Sequence, residues 1–146
     1  MASTILITGI SASGKTTLGK RLQKNLLETG LNDVRLLDGE VIRETFKRRG
    51  KCYGYTTEEW SAFVLEIANL AAQLNQDGVN CIICTIAHIE SVRKQMRSII
   101  GHVMEVYLEC PIDVCAARDY KDQYAEAFDR SIDNFIGVTE ESSNAA

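Results

Sequence analysis

The stretch Gly9-Ile10-Ser11-Ala12-Ser13-Gly14-Lys15-Thr16-Thr17 decides the reading of the chain, because it fills every position of the phosphate-cradling pattern G-x-x-x-x-G-K-[ST]. Ahead of it, Thr4 to Thr8 is a short apolar, β-branched run. Behind it, Leu18, Leu22 and Leu26 recur at helical spacing, so the loop joins a strand to a helix. Gly9 and Gly14 permit the tight turn that aims successive N–H groups, with the positive end of the helix dipole, at phosphate oxygens. ATP is the implied ligand, with Ser11, Ala12, Ser13 and Thr17 completing the cradle. Lys15 is expected to reach the β- and γ-phosphates, and the Thr16 hydroxyl to hold Mg²⁺.

With 146 residues the chain is long enough for one core. A hydrophobic fraction of 45% with 25% charged residues is that of an ordinary globular domain. The net charge of -4 gives no basic field for a nucleic-acid polymer, and no leader or membrane-length apolar run is visible, so a cytoplasmic location is expected. Five cysteines, an odd number, read as reduced thiols. Cys81 and Cys84 form a C-x-x-C inside an apolar strand pattern, which sends them to opposite faces and argues against a redox pair or zinc half-site.

Downstream, Thr17 to Leu27 reads as a helix stopped at Gly30, and Val34 to Leu37 as a second strand ending in the acidic turn Asp38-Gly39-Glu40. Ligands of open parallel sheets lie beyond the carboxyl ends of the strands, so Asp38 and Glu40 are expected beside the phosphates, to orient Mg²⁺ or take the proton of an attacking hydroxyl. The basic run Lys47 to Lys51 is either a solvated face or a phosphate-facing patch. Thr56 and Glu59 are spaced as a capping box, opening a helix with Phe63, Val64, Ile67, Leu70, Ala71 and Leu74 on its apolar face and a stop near Asp77-Gly78. Val79 to Ile86 reads as a buried central strand, Ile89 to Ile100 as a helix and Val103 to Leu108 as a fourth strand. A short helix from Pro111 to Ala117 and a closing lid from about Arg118 to Val138 follow, and the polar tail from Thr139 to Ala146 has no pattern. The alternation predicts an α/β doubly wound parallel sheet in three layers.

Several of these segments together resemble the adenylylsulfate kinases, P-loop enzymes that phosphorylate the ribose 3′-hydroxyl of adenylylsulfate with MgATP. The likeness runs from about Thr4 to Val138. Besides the phosphate loop it includes LLDGEVIR (Leu36 to Arg43), GYT (Gly54 to Thr56), VYLECPIDVCAARD (Val106 to Asp119) and IDNFIGV (Ile132 to Val138). It implies a P-loop NTPase-type fold with the catalytic carboxylate on Glu40, where aspartate is usual. It also implies an acceptor-contacting arginine on Arg43, base-stacking rings on Tyr55 and Phe135, further acceptor contacts at Ile86, Ala87, Lys121 and Asn134, and Arg118 near the ATP base.

Departures cluster on the acceptor side. Trp60 and Phe63 stand where an arginine and an asparagine are usual, and Leu65 and Glu66 replace an arginine pair. Ile86-Ala87-His88 replaces Ile-Ser-Pro, and Ala125, Glu126 and Phe128 replace basic lid residues. Guanidinium donors suited to a phosphosulfate are thereby removed. The chain also ends soon after the lid, short of a strand and helix usual in the family.

These residues predict a kinase that moves the γ-phosphoryl group of ATP, with Mg²⁺, to the ribose hydroxyl of a small nucleotide acceptor. Lys15, Asp38 and Glu40 are the candidate catalytic residues. Adenylylsulfate is the acceptor that the resemblance implies. A cytidine diphosphate derivative, a non-nucleotide alcohol and a catalytically silent nucleotide-binding module are the alternatives, and a homodimer is left open.

Overall fold

The computed structural model describes residues 2–10, 13–110 and 114. Four five-residue strands, β1 (Thr4–Thr8), β2 (Val34–Asp38), β3 (Asn80–Cys84) and β4 (Val103–Tyr107), alternate with the helices α1 (Lys15–Glu28), α2 (Gly39–Arg48), α3 (Thr57–Gln76) and α4 (Glu90–Ile100). The strands form one parallel sheet in the order β2-β3-β1-β4.

Strand side chains alternate between two cores, as the two-residue repeat of a pleated strand requires. Ile7, Val34, Ile82 and Cys84 face one layer, where Leu18, Leu22 and Leu26 of α1 cover them. Leu6, Leu37, Cys81 and Ile83 face the other, where Phe63, Val64, Ile67, Ala68 and Ala71 of α3 and Val92, Met96 and Ile100 of α4 pack. Helices therefore cover both faces, and the strands read as near-continuous apolar runs for that reason. Each fully buried Leu, Ile or Phe contributes roughly 1.5–3 kcal/mol relative to exposure.

The helix ends follow from backbone chemistry. Gly30, at φ +105°, turns the chain out of α1, with Leu31 N–H donating to Leu26 O at 3.3 Å and Gly30 N–H to Leu27 O at 3.2 Å. The same pair of bonds closes α2 at Gly50 and α3 at Gly78. At the start of α3, Thr56 Oγ1 accepts the Glu59 N–H at 3.2 Å, while the Glu59 carboxylate takes the N–H of Gly54.

Two elements differ from the sequence expectation. The acidic turn is the N-terminus of a ten-residue helix, α2, and the basic run closes it. Asp38 Oδ1 caps it by accepting the Glu40 N–H at 2.9 Å, and Ile42 and Phe46, four residues apart, turn toward the core. Lys47 and Arg48 lie exposed in its last turn, facing the negative end of the helix dipole, so the basic run is a solvated face. Strand β3 is also shorter than the run Val79 to Ile86. Beyond Cys84 the chain leaves the sheet and passes into the segment that precedes α4. The short helix, the lid and the tail lie outside the described residues.

Candidate active site

The loop after β1 is set by two close constraints. A Cβ on Gly9 would stand 2.9 Å from the backbone oxygen of Leu108, so only glycine lets the chain pass β4 here. Gly14, at φ 99°, is left-handed and is the N-cap of α1, with no side chain accepting the first N–H groups of the helix. Unlike α2 and α3, which carry side-chain caps, α1 thus presents amides and dipole to whatever lies in the loop. Ser13 Oγ is buried and has no hydrogen-bond partner among the described residues, a donor left for a ligand oxygen. Lys15 Nζ lies across the loop, donating to Ile10 O at 2.6 Å.

Across from the loop stands the acidic turn. Thr16 Oγ1 donates to Asp38 Oδ2 at 2.7 Å, so the first turn of α1 and the start of α2 are tied at the carboxyl ends of the strands. A hydroxyl carries one proton and two lone pairs, and giving the proton to Asp38 turns the lone pairs toward a cation. The carboxylate oxygens of Asp38 are both engaged, one by Thr16 and one by the cap of α2. Glu40 is exposed in the first turn of that helix. Gly39 keeps the turn close to the sheet, since a Cβ there would meet Thr85 Oγ1 at 2.8 Å.

Beneath this junction, Cys84 donates from Sγ to Lys15 O at 3.3 Å. Burial, then the Asp38 carboxylate, pushes its thiol up to about 12, and burial pushes Cys81 up to about 11. The two thiols belong to opposite cores, as their spacing implied.

The third wall carries Arg43, Tyr55 and the residues after β3. Arg43 Nη2 donates to Tyr53 O and, at 3.3 Å, to Gly54 O. Its Cζ lies 4.3 Å from the ring centre of Tyr55, 5.3 Å from Trp60 and 5.6 Å from Phe63. Nη1 is buried with no partner among the described residues, which costs free energy unless an acceptor oxygen arrives. Trp60 Nε1 donates to Ile86 O at 2.9 Å. Ala87 O accepts from Arg93 Nη1, and Arg93 also donates to Glu90 at 2.6 Å.

Thr16 and Asp38 therefore meet, Lys15 reaches across the adjoining loop, Glu40 follows in the first turn of α2, and Arg43, Tyr55, Ile86 and Ala87 form a neighbouring wall. Gly9, Ser13, Gly14 and Thr17 lie in or next to the loop. Ser11, Ala12, Arg118, Lys121, Asn134 and Phe135 lie outside the described residues. Sequence reasoning missed Arg93, which is only 2% exposed and tethers the segment after β3. Its signal was its place beside the apolar stripe Ile89, Val92, Met96 and Ile100, where a solvated arginine is not expected.

A profile of the adenylylsulphate kinase family matches residues 1–145. The chain belongs to that family. Within it, the chain is 36% identical over 144 residues to a probable adenylyl-sulfate kinase of Pyrococcus abyssi, covering 97% of this chain and 80% of the relative. It is 33% identical over 139 residues to the bifunctional enzyme CysN/CysC of Rhodopirellula baltica, covering 94% of this chain but only 21% of that much longer relative. The fold matches that of the Mycobacterium tuberculosis APS kinase CysC, solved in complex with AMPPNP and APS, at a TM-score of 0.89 and 23% identity, over 99% of this chain and 83% of the other. The family membership makes this chain a kinase, with ATP as the phosphoryl donor. No described helix is long and apolar enough to cross a membrane.

Proposed function

We propose that the chain transfers the γ-phosphoryl group of ATP to the ribose 3′-hydroxyl of adenylylsulfate, giving 3′-phosphoadenylylsulfate and ADP. The observation that carries this reading is the Thr16–Asp38 hydrogen bond, which brings the phosphate loop and the acidic turn into one site in a chain of this family. The uncapped N-terminus of α1, the Ser13 hydroxyl and Lys15 provide donors for the phosphates.

Thr16, held by Asp38, fits a hard cation, and its hydroxyl would hold Mg²⁺ with Asp38 positioning it. When bound, Mg²⁺ neutralises charge on the β- and γ-phosphates. Glu40, exposed in the first turn of α2 at the place of the family's catalytic carboxylate, would accept the 3′-hydroxyl proton as the new P–O bond forms and the bond to ADP breaks, with Asp38 as the alternative base. Glutamate in place of aspartate lengthens that reach by one methylene. Arg43 Nη1 offers the acceptor's anionic group a charge-assisted donor, and the exposed Tyr55 ring offers its base a stacking face. Lys121, Asn134, Phe135 and Arg118 complete the acceptor and ATP sides in this reading. The partners are ATP and a small nucleotide, with no nucleic-acid polymer.

Incubation of the purified protein with γ-labelled ATP, Mg²⁺ and either adenylylsulfate or cytidine and guanosine diphosphate derivatives tests the proposal. Label on adenylylsulfate in preference to the others supports it. Label on another acceptor with none on adenylylsulfate overturns the choice of acceptor, and ATP binding without transfer to any acceptor overturns the kinase reading.

A further inference from the structure

Five rings contributed by α2, the turn after it and α3 form one cluster beside the acidic turn: Phe46, Tyr53, Tyr55, Trp60 and Phe63. Within it, Trp60 joins three separate segments. Its face lies nearly parallel to Tyr55, at 15° with ring centres 6.1 Å apart, and its ring centre lies 5.6 Å from that of Phe63 at a tilt of 56°. The Arg43 guanidinium lies 5.3 Å from its ring, and its N–H closes on the carbonyl of Ile86 beyond β3. Tyr55 itself is 56% exposed, and the indole and the Arg43 guanidinium are the contacts that hold its ring.

From this geometry we propose that Trp60 is the positioning residue of the acceptor pocket. It fixes the Tyr55 face and the Arg43 guanidinium against the segment at Ile86, and so sets the apparent affinity for the acceptor without touching the phosphates of ATP. Removing the indole takes from Tyr55 its stacking partner, from Arg43 one of three aromatic faces, and from the Ile86 carbonyl its donor. None of these contacts involves Lys15, Thr16 or Asp38. The inference deepens the proposed function and rests on the pocket assigned there.

The chain holds one tryptophan, so its emission reports this site alone. In W60A, the KM for adenylylsulfate should rise about tenfold, more than kcat falls, while the KM for ATP stays within about twofold. W60F keeps a ring face and lacks the N–H, and should fall between the two, which also guards against a W60A protein that fails to fold. In the wild-type protein, saturation with adenylylsulfate should change the Trp60 emission. Equal rises in both KM values, no change in either, or an emission that acceptor leaves unmoved would overturn the inference. If adenylylsulfate is neither bound nor phosphorylated, the same emission titration with nucleoside diphosphates separates the two claims. A response to one of them retains Trp60 as the positioning residue while the choice of acceptor fails, and no response to any overturns both.

Discussion

A thiol packed under the first turn of α1 and paired in register with Asp38 pays heavily to ionise, and Cys84 and Cys81 hold their protons well above the ordinary 9.0 of a thiol. The unfolded chain releases those protons first. Between pH 9 and about 12 it therefore binds fewer protons than the native state, and stability falls as pH rises through that window. Urea denaturation from pH 8 to pH 11 should show a steeper loss of stability in the wild type than in C84A, and identical slopes would contradict the burial account. Lys15 offers the complementary test on the active side. K15A should lose at least about a hundredfold in kcat, with an unchanged circular dichroism spectrum, because a charged donor to the transferring group is removed without touching either core. Turnover within a few-fold of wild type would remove Lys15 from the site.

At the scale of elements, α1 lies close to the sheet because Gly19 carries no side chain. A Cβ there would stand 2.5 Å from Cys84 Sγ and 2.9 Å from Leu36 Cδ1, so G19A must push the helix outward or force both side chains from their rotamers. A loss of about 1–3 kcal/mol is expected from denaturant unfolding, with the phosphate loop displaced and the KM for ATP raised. A G19A protein as stable as wild type would mean that the helix is not held at this distance. Four strands and three of the four helices were legible from the sequence, because their apolar repeats are long or their ends carry Gly30, Gly78 and the Thr56/Glu59 cap. Helix α2 was not. It is ten residues long, opens with glycine, and buries only Gly39 and Ile42, leaving Val41 exposed, so few apolar residues mark it. Asp38 at the N-cap was its one clear mark, and the same residue also read as a functional carboxylate. The two readings are compatible, since one oxygen accepts the Glu40 N–H at the cap and the other accepts the hydrogen bond of the Thr16 hydroxyl.

In the whole molecule, a parallel sheet with helices on both faces brings the ends of β1, β2 and β3 to one side, and this is why residues 22 apart in sequence, Thr16 and Asp38, meet. The ATP half of the site could be read from a contiguous motif. The proposed acceptor half draws on α2, the turn before α3 and the segment after β3, and contacts such as Trp60 to Ile86 or Arg93 to Ala87 join residues through folded backbone that no local pattern encodes. Only the likeness to a family assigned Arg43 and Tyr55 to the acceptor side. In the proposed mechanism this junction grips a triphosphate on one side and readies a ribose 3′-hydroxyl on the other. Its most direct test compares label transfer from γ-labelled MgATP to adenylylsulfate and to its 3′-deoxy analogue under identical conditions. The account predicts a labelled 3′-phosphate on the first and none on the second, whereas equal labelling of the two, or label on neither, would contradict it.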